Sequence, residues 1–414
     1  MMNPLLQPKR TVAELKELRA LTGDEHGAQR VAFTETWAKA RAWMREKLAE
    51  LPVEVKVDAA GNQWATLRGE SEKELLIGGH IDSVPNGGWL DGCLNVLAGL
   101  EVLRRIAAEG RAPVTVRLVD WADEEGARFG RSLFGSSAAS GTMNPDELRG
   151  LHDRDGISLP DAIAQYGLSL DKVKDAHAEL KHAAAYLELH IEQGPVLESM
   201  HLPLGVVLGT FGVERHRIIW KGQAAHAGST PMDRRKDALA GAAKLALEIR
   251  PIAARAGNGA VCTSGGVVCR PGIVTSVVET AEQILDQRHL DLATLTRMLQ
   301  EAKDASSRFA AEENIDVSWE PIWRIDPILF NAELIELADQ AIRETCGSVH
   351  RLPSGPLHDA AEVARIGIPT VMVFVQSLRG ISHNKIEDTL EEHLELSVQA
   401  LDRLASKAML WIKG

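Results

Sequence analysis

Short apolar runs alternate with longer stretches of helical periodicity through the first half of the chain. Val12–Ala20 and Val31–Leu51 repeat apolar residues at three- and four-residue intervals and predict helices. VEVKVD (Val53–Asp58) alternates in the strand manner, and Gly61-Asn62 predicts a hairpin turn into QWATLRG. ELLIGGHI (Glu74–Ile81), VTVRLVDWA (Val114–Ala122), AAYLELHI (Ala184–Ile191) and TVMVFVQ (Thr370–Gln376) predict further strands. Leu94–Ala108 predicts an amphipathic helix that stops at Gly110. Strands alternating with helices imply an α/β domain with a mostly parallel sheet covered on both faces.

Between about Phe211 and Trp323 the pattern changes. VERHRIIWKG, Val261–Val268, AEQILDQRHL (Ala281–Leu290) and IDVSWEPIW predict strands, and Arg235–Ala254 and Leu292–Glu313 predict helices. The order β-α-β-β-α-β describes a two-layer sandwich. The expected division is one domain of residues 1–211 and 324–414, interrupted by an inserted domain of residues 212–323. The acidic runs ESEKE (Glu70–Glu74) and IEDTLEEHLE (Ile386–Glu395) are expected to be solvated surface.

A chain of 414 residues has room for such a division and a large core. Its net charge of −12 argues against nucleic acid or an anionic membrane as a partner, though not against an anionic small molecule. The N-terminal stretch lacks the basic start, apolar centre and small-residue cleavage site of a signal peptide. No apolar run reaches membrane-spanning length. The four cysteines form no CxxC pair, so reduced thiols and a cytoplasmic location are expected.

Four of the predicted strands run into residues with ligand chemistry. ELLIGG leads to His80 and Asp82, VTVRLVDWAD to Glu124 and Glu125, AAYLEL to His190 and Glu192, and TVMVFVQSLRGI to His383. The C-terminal ends of parallel strands share one edge of the sheet, where ligands bind. Imidazole and carboxylate suit zinc. Three histidines, Asp91 and two glutamates exceed one tetrahedral site, whereas two ions roughly 3.5–4 Å apart would use them all. Asp91, after the glycine-rich loop, can bridge the two. Asp82 can accept the second imidazole N–H of His80 and fix its tautomer. Of the adjacent pair, one glutamate can bind metal while the other takes a proton from water. Taken singly, each histidine could equally cap a strand or sit satisfied in the core.

Together these residues resemble a known family. GHIDSVPNGG (Gly79–Gly88) with Asp91-Gly92, DEEGARF (Asp123–Phe129), ELHIEQGP (Glu188–Pro195) and GISHN (Gly380–Asn384) are similar to the metal motifs of the N-carbamoyl-L-amino acid amidohydrolases, allantoate amidohydrolases and β-ureidopropionases. These form the amidase branch of the dinuclear zinc aminopeptidase-like superfamily. The resemblance covers nearly the whole chain. It implies one metal on His80, Asp91 and His190, a second on Asp91, Glu125 and His383, and Glu124 as general base. Zinc is the default ion, and manganese, cobalt or nickel suit the same donors. AHAGSTPMDRR (Ala225–Arg235) resembles the lid motif, whose histidine, here His226, stabilises the oxyanion in the partner subunit's active site. A homodimer through the inserted lid domain follows. LDQR (Leu285–Arg288) resembles the segment whose arginine, Arg288, grips a substrate carboxylate; a planar guanidinium suits that task. Gln193, Thr275 and His358 fall at further substrate-contacting positions.

Three positions depart from the family pattern. Thr275, in PGIVTSVVE, stands where an asparagine is usual. Pro356 and Leu357 precede His358 in place of smaller residues, and Trp89 adds an aromatic beside the metal loop. The expected activity is hydrolysis of the carbamoyl or ureido C–N bond of a carboxylate-bearing small molecule, with a bridging water activated by Glu124. The alternatives are another amide (an N-acyl amino acid, an aryl amide, allantoate or a dipeptide) and a metal-loaded scaffold without turnover.

Overall fold

The computed structural model describes residues 3–414. Two compact units make up the chain. The first runs to Leu208 and resumes at Phe330; the second is Gly209–Leu329.

The first unit is built on a mixed sheet. Across it lie Leu204–Thr210, Thr370–Val375, Ala183–Ile191, Glu74–His80, Thr115–Trp121, Gln63–Leu67 and Glu54–Val57. His350–Ser354 and the two-residue strand Ile328–Leu329 pair with Leu204–Thr210. The central four, from Thr370–Val375 to Thr115–Trp121, are mutually parallel. Their neighbours on either side are antiparallel. Glu74–His80, Thr115–Trp121 and Thr370–Val375 are buried along their whole length, which is why they read as continuous apolar runs rather than alternating ones. Glu54–Val57, at the sheet edge, alternates in sequence but is exposed throughout.

Helices Pro8–Thr22, Cys93–Glu109 and Glu391–Lys413 pack on one another and bury Leu15, Leu97 and Leu401. Cys93–Glu109 ends where expected, at Gly110, whose φ of 105° suits only glycine. The second predicted helix is shorter than its periodicity: it spans Glu35–Leu48, because Thr34 caps it by accepting from the Trp37 N–H.

Both acidic runs are solvated over Glu70, Glu72, Lys73, Glu391 and Glu392, and each also turns residues inward. Glu74 opens a buried strand and pairs with Arg117 at 2.9 Å. In the second run Glu387 and Leu394 are buried, and the run leads into the last helix.

The second unit has the expected β-α-β-β-α-β order. Its antiparallel sheet lies in the order Val261–Arg270, Thr280–His289, Gly212–Lys221, Asp316–Ile325. Helices Ala238–Ala256 and Leu292–Glu313 bury Leu245, Ile249 and Met298 in one core with Ile218, Trp220 and Leu285. The first helix starts at Ala238 rather than Arg235 because Asp237 accepts from the Leu239 N–H and caps it there. Among the described residues no helix is long and apolar enough to cross a membrane.

Candidate metal centre

The four parallel strands deliver their polar residues to one edge. His80 ends its strand opposite Trp121, and His190 stands opposite Phe374. The loops after Thr115–Trp121 and Thr370–Val375 carry Glu124, Glu125 and His383. Asp91 precedes the helix that starts at Cys93. Gly92 between them has a φ of 66°, and a Cβ there would lie 2.4 Å from the His80 ring. Only glycine lets Asp91 approach His80 so closely.

The two oxygens of Asp91 face different partners. Oδ1 lies 3.1 Å from His190 Nε2 and 3.8 Å from His80 Nε2. Oδ2 lies 3.3 Å from His383 Nε2, which in turn lies 3.3 Å from Glu125 Oε2. The structure thus gathers two ligand groups, His80–Asp91–His190 and Asp91–Glu125–His383, that share Asp91. Glu124 Oε2 stands 3.7 Å from His80 Nε2, beside the first group.

Backbone contacts set the imidazole tautomers. His80 Nδ1 lies 3.1 Å from the Asp82 carbonyl oxygen, and His190 Nδ1 lies 2.9 Å from that of Ile191. A carbonyl only accepts, so both Nδ1 atoms carry protons and both Nε2 atoms face inward as donors to a cation. The Asp82 carboxylate lies 3.6 Å from His80 Nδ1 and also accepts the backbone N–H of Glu124 and of Glu125, each at 3.2 Å. Asp82 therefore fixes the turn that separates the two glutamates. The turn and the other loops hold Asp123, Gln193 and His383 at φ of 55°, 56° and 53°, unusual for side chains with a Cβ.

The electrostatics call for cations. Burial would raise the Asp91 carboxyl, but hydrogen bonds from His190 and His383 outweigh it and hold it well below the usual range. Burial raises Glu125 to about 7, with Asp91 adding to the effect. Burial also drives Glu124 well above the carboxylate range, and His80 only partly opposes it. The Asp91 hydrogen bond lifts His383 to about 9. Burial disfavours charge on His80, yet Glu124, Asp82 and Asp91 raise it well above its ordinary value. Without metal, then, the site holds protons on its ligands. His80 Nε2 and Glu125 Oε1 are buried with no hydrogen-bond partner. An orphaned buried polar atom in each of the two groups fits a divalent-ion site.

His358 is buried with its ring 4.3 Å from that of His190, and burial, then His190, keep it neutral. Its Nε2 has no partner. The amide of Gln193 donates to Asp91 Oδ2 at 2.9 Å and to Ser382 Oγ at 3.1 Å. Trp89 is largely buried, and with Arg19, whose guanidinium lies over its ring, it helps to line a cleft that Lys385 also borders.

In the second unit His226 is exposed. Its Nδ1 accepts the N–H of Gly228 and of Ser229, each at 3.1 Å, which leaves the proton on Nε2 as an outward donor. Thr275 is exposed and holds the same loop through its carbonyl, which accepts the Ala227 N–H at 2.9 Å. Asp286 grips Arg288 by two bonds, 2.8 Å from Nε and 3.2 Å from Nη2. Asp286 also pairs with Arg215 at 2.6 Å.

Comparison with known proteins decides the family. The model of peptidase family M20/M25/M40 matches residues 76–407. An N-carbamoyl-L-amino acid amidohydrolase of Geobacillus stearothermophilus is 35% identical over 380 residues, 91% of this chain and 92% of the relative. The chain belongs to the M20/M25/M40 family, in its carbamoylase and allantoate amidohydrolase group. An allantoate amidohydrolase of Escherichia coli (strain K12) is 32% identical over 379 residues, 91% of each chain. The crystal structure of a hydantoinase/carbamoylase family amidase from Burkholderia multivorans superimposes with a TM-score of 0.88 at 30% identity, covering 97% of this chain and 98% of that one. The chain is accordingly a hydrolase of amide C–N bonds, and the reading as a scaffold without turnover is set aside. The span matched by the family model takes in every residue of both ligand groups. It also contains two residues of the centre that sequence reasoning missed, Ser382 and Glu387, which are bonded to each other at 2.8 Å.

Proposed function

We propose that the protein cleaves the carbamoyl or ureido C–N bond of an N-carbamoyl-L-amino acid or a related ureido acid. The division of Asp91 between two ligand groups carries this reading. In it His80, Asp91 and His190 hold one divalent ion and Asp91, Glu125 and His383 a second. Zinc suits these donors, as do manganese, cobalt and nickel. When bound, such ions supply Lewis acidity, which lowers the pKa of water and polarises a carbonyl.

The chain's own residues supply proton transfer and orientation. Glu124, buried beside His80 and free of the ligand groups, takes the proton of the attacking water and returns it to the departing nitrogen. Asp82 keeps Glu124 and Glu125 in separate roles by holding both of their backbone N–H groups. His226 donates from Nε2 to the developing oxyanion, reaching the site from a second copy of the chain in a homodimer formed through the inserted unit. Arg288, its plane set by Asp286, receives the substrate carboxylate. An N-carbamoyl amino acid and water then give the amino acid, carbon dioxide and ammonia. The protein acts in the cytoplasm on a soluble substrate.

A second reading, a different amide such as an N-acyl amino acid, an aryl amide or a dipeptide, is favoured by the engagement of Gln193 with Asp91 and by Thr275 at the asparagine position. A panel of N-carbamoyl, ureido, N-formyl, N-acetyl and dipeptide substrates, given to metal-reconstituted protein, separates the two. Preference for the carbamoyl and ureido compounds supports the first reading; preference for acyl or peptide bonds replaces it with the second.

A further inference from the structure

Glu387 stands in an acid-rich stretch of sequence, yet it is only 2% exposed. Its Oε1 accepts two backbone N–H groups, those of Leu90 and Asp91, each at 3.1 Å. Its Oε2 lies 2.8 Å from the hydroxyl of Ser382. That hydroxyl also lies 3.1 Å from Asp91 Oδ2 and 3.1 Å from the amide nitrogen of Gln193. The loop around Asp91 is fitted to this carboxylate. A Cβ on Gly88 would come 2.0 Å from Glu387 Oε1, so a larger residue there would expel it.

These contacts join two loops that are remote in sequence. One presents Asp91; the other presents His383 directly after Ser382. Both residues belong to the second ligand group; the first shares Asp91 but takes its two histidines from strands of the sheet. Strands hold their residues through the ladder, but a loop needs a brace of its own. Glu387 and Ser382 belong to neither ligand group.

We propose that Glu387 is a positioning residue for the second metal site. It clamps the backbone at Asp91 and, through Ser382, the loop of His383, so that the two side chains meet at one ion. The proposal rests on the two ligand groups assigned above. It predicts that loss of the brace weakens the second ion and largely spares the first.

The test is titration of the metal-free full-length protein with zinc against a chromophoric chelator. His383→Ala marks which binding step belongs to the second site. Wild-type protein should take up two ions. Glu387→Ala should bind the second ion about 10–100-fold more weakly, the usual scale for loss of an outer partner of a metal ligand. The first ion should change much less. Glu387→Gln, whose amide oxygen can still accept both backbone N–H groups, should recover most of the loss. Ser382→Ala should shift the same step in the same direction. A folded Glu387→Ala that binds both ions as wild type does, or weakens both equally, overturns the proposal. If Glu387→Ala does not fold, Ser382→Ala decides alone, and an unchanged second step overturns it. Wild-type protein that takes up fewer than two ions overturns the site assignment itself, and the brace with it.

Discussion

His190 Nε2 meets Asp91 on Oδ1 at 3.1 Å, the oxygen opposite the one that faces His383. Asp91 therefore has no spare oxygen, and each proposed ion depends on one of the two. Asp91→Asn replaces one of them with an amide nitrogen, which cannot ligate. The expected outcome is loss of at least one tightly bound ion per chain and of nearly all activity, read by metal analysis after dialysis. Asp91→Asn protein that keeps two ions would show that Asp91 does not bridge.

Metal uptake should release protons. In the metal-free protein Glu125 titrates at about 7 and His383 at about 9, both raised above their ordinary values. A raised pKa means that the proton is held below that pH and lost as pH rises through it. At pH 7 His383 is therefore protonated and Glu125 about half so, and an ion must displace those protons. Zinc added to metal-free protein in weak buffer at pH 7 should release about one proton or more per chain. Apparent affinity should rise with pH up to about 9. Uptake without proton release at pH 7 would contradict the assignment of His383 and Glu125.

Glu124→Gln removes the proposed proton carrier and leaves both ligand groups intact. General acid–base residues typically contribute about 10²–10⁴-fold, so kcat should fall on that scale. KM and metal content should stay near wild type. A variant that keeps full kcat, or that loses metal in step with activity, gives Glu124 a different role.

Much of this centre was legible in the sequence because its ligands stand at or just after buried strands. Such strands are read by their unbroken apolar runs, and their polar ends then point to one edge. Glu387 was not legible: its neighbours Glu391 and Glu392 begin an exposed helix turn, and the whole run reads as solvated. Only the fold shows that this carboxylate turns inward to the two backbone N–H groups at Asp91. A second task of Asp82 was not legible either, since the N–H groups of Glu124 and Glu125 that it accepts lie on another strand's loop. The pairing of Asp286 with Arg288 did leave a signal, because residues two apart on a strand share a face.

Arg288→Lys should raise KM by roughly 10–100-fold, the worth of about 1.5–3 kcal/mol for a charged hydrogen bond. The amidated form of the same substrate should lose little more in the variant than in wild type. Equal wild-type rates for the free acid and its amide would remove the reason to assign Arg288 to a carboxylate.

His226 is tested by complementation between subunits. His226→Ala and Glu124→Gln chains should each be nearly inactive alone. After subunit exchange, each mixed dimer has one site with both groups intact, and should regain up to about half the activity per site. If exchange is verified and no activity returns, His226 acts within its own chain or has no part in the reaction.

The central claim, hydrolysis of a carbamoyl or ureido C–N bond with Glu124 as proton carrier, is tested most directly by ammonia release. Zinc- and manganese-reconstituted protein is given a series of N-carbamoyl-L-amino acids and ureido acids, with Glu124→Gln run beside it. The account predicts metal-dependent ammonia release from at least one of these substrates, with N-acetyl and dipeptide analogues much slower, and a loss of about 10²-fold or more in the variant. Turnover confined to the acyl or peptide analogues, or carbamoyl hydrolysis undiminished in Glu124→Gln, would contradict it.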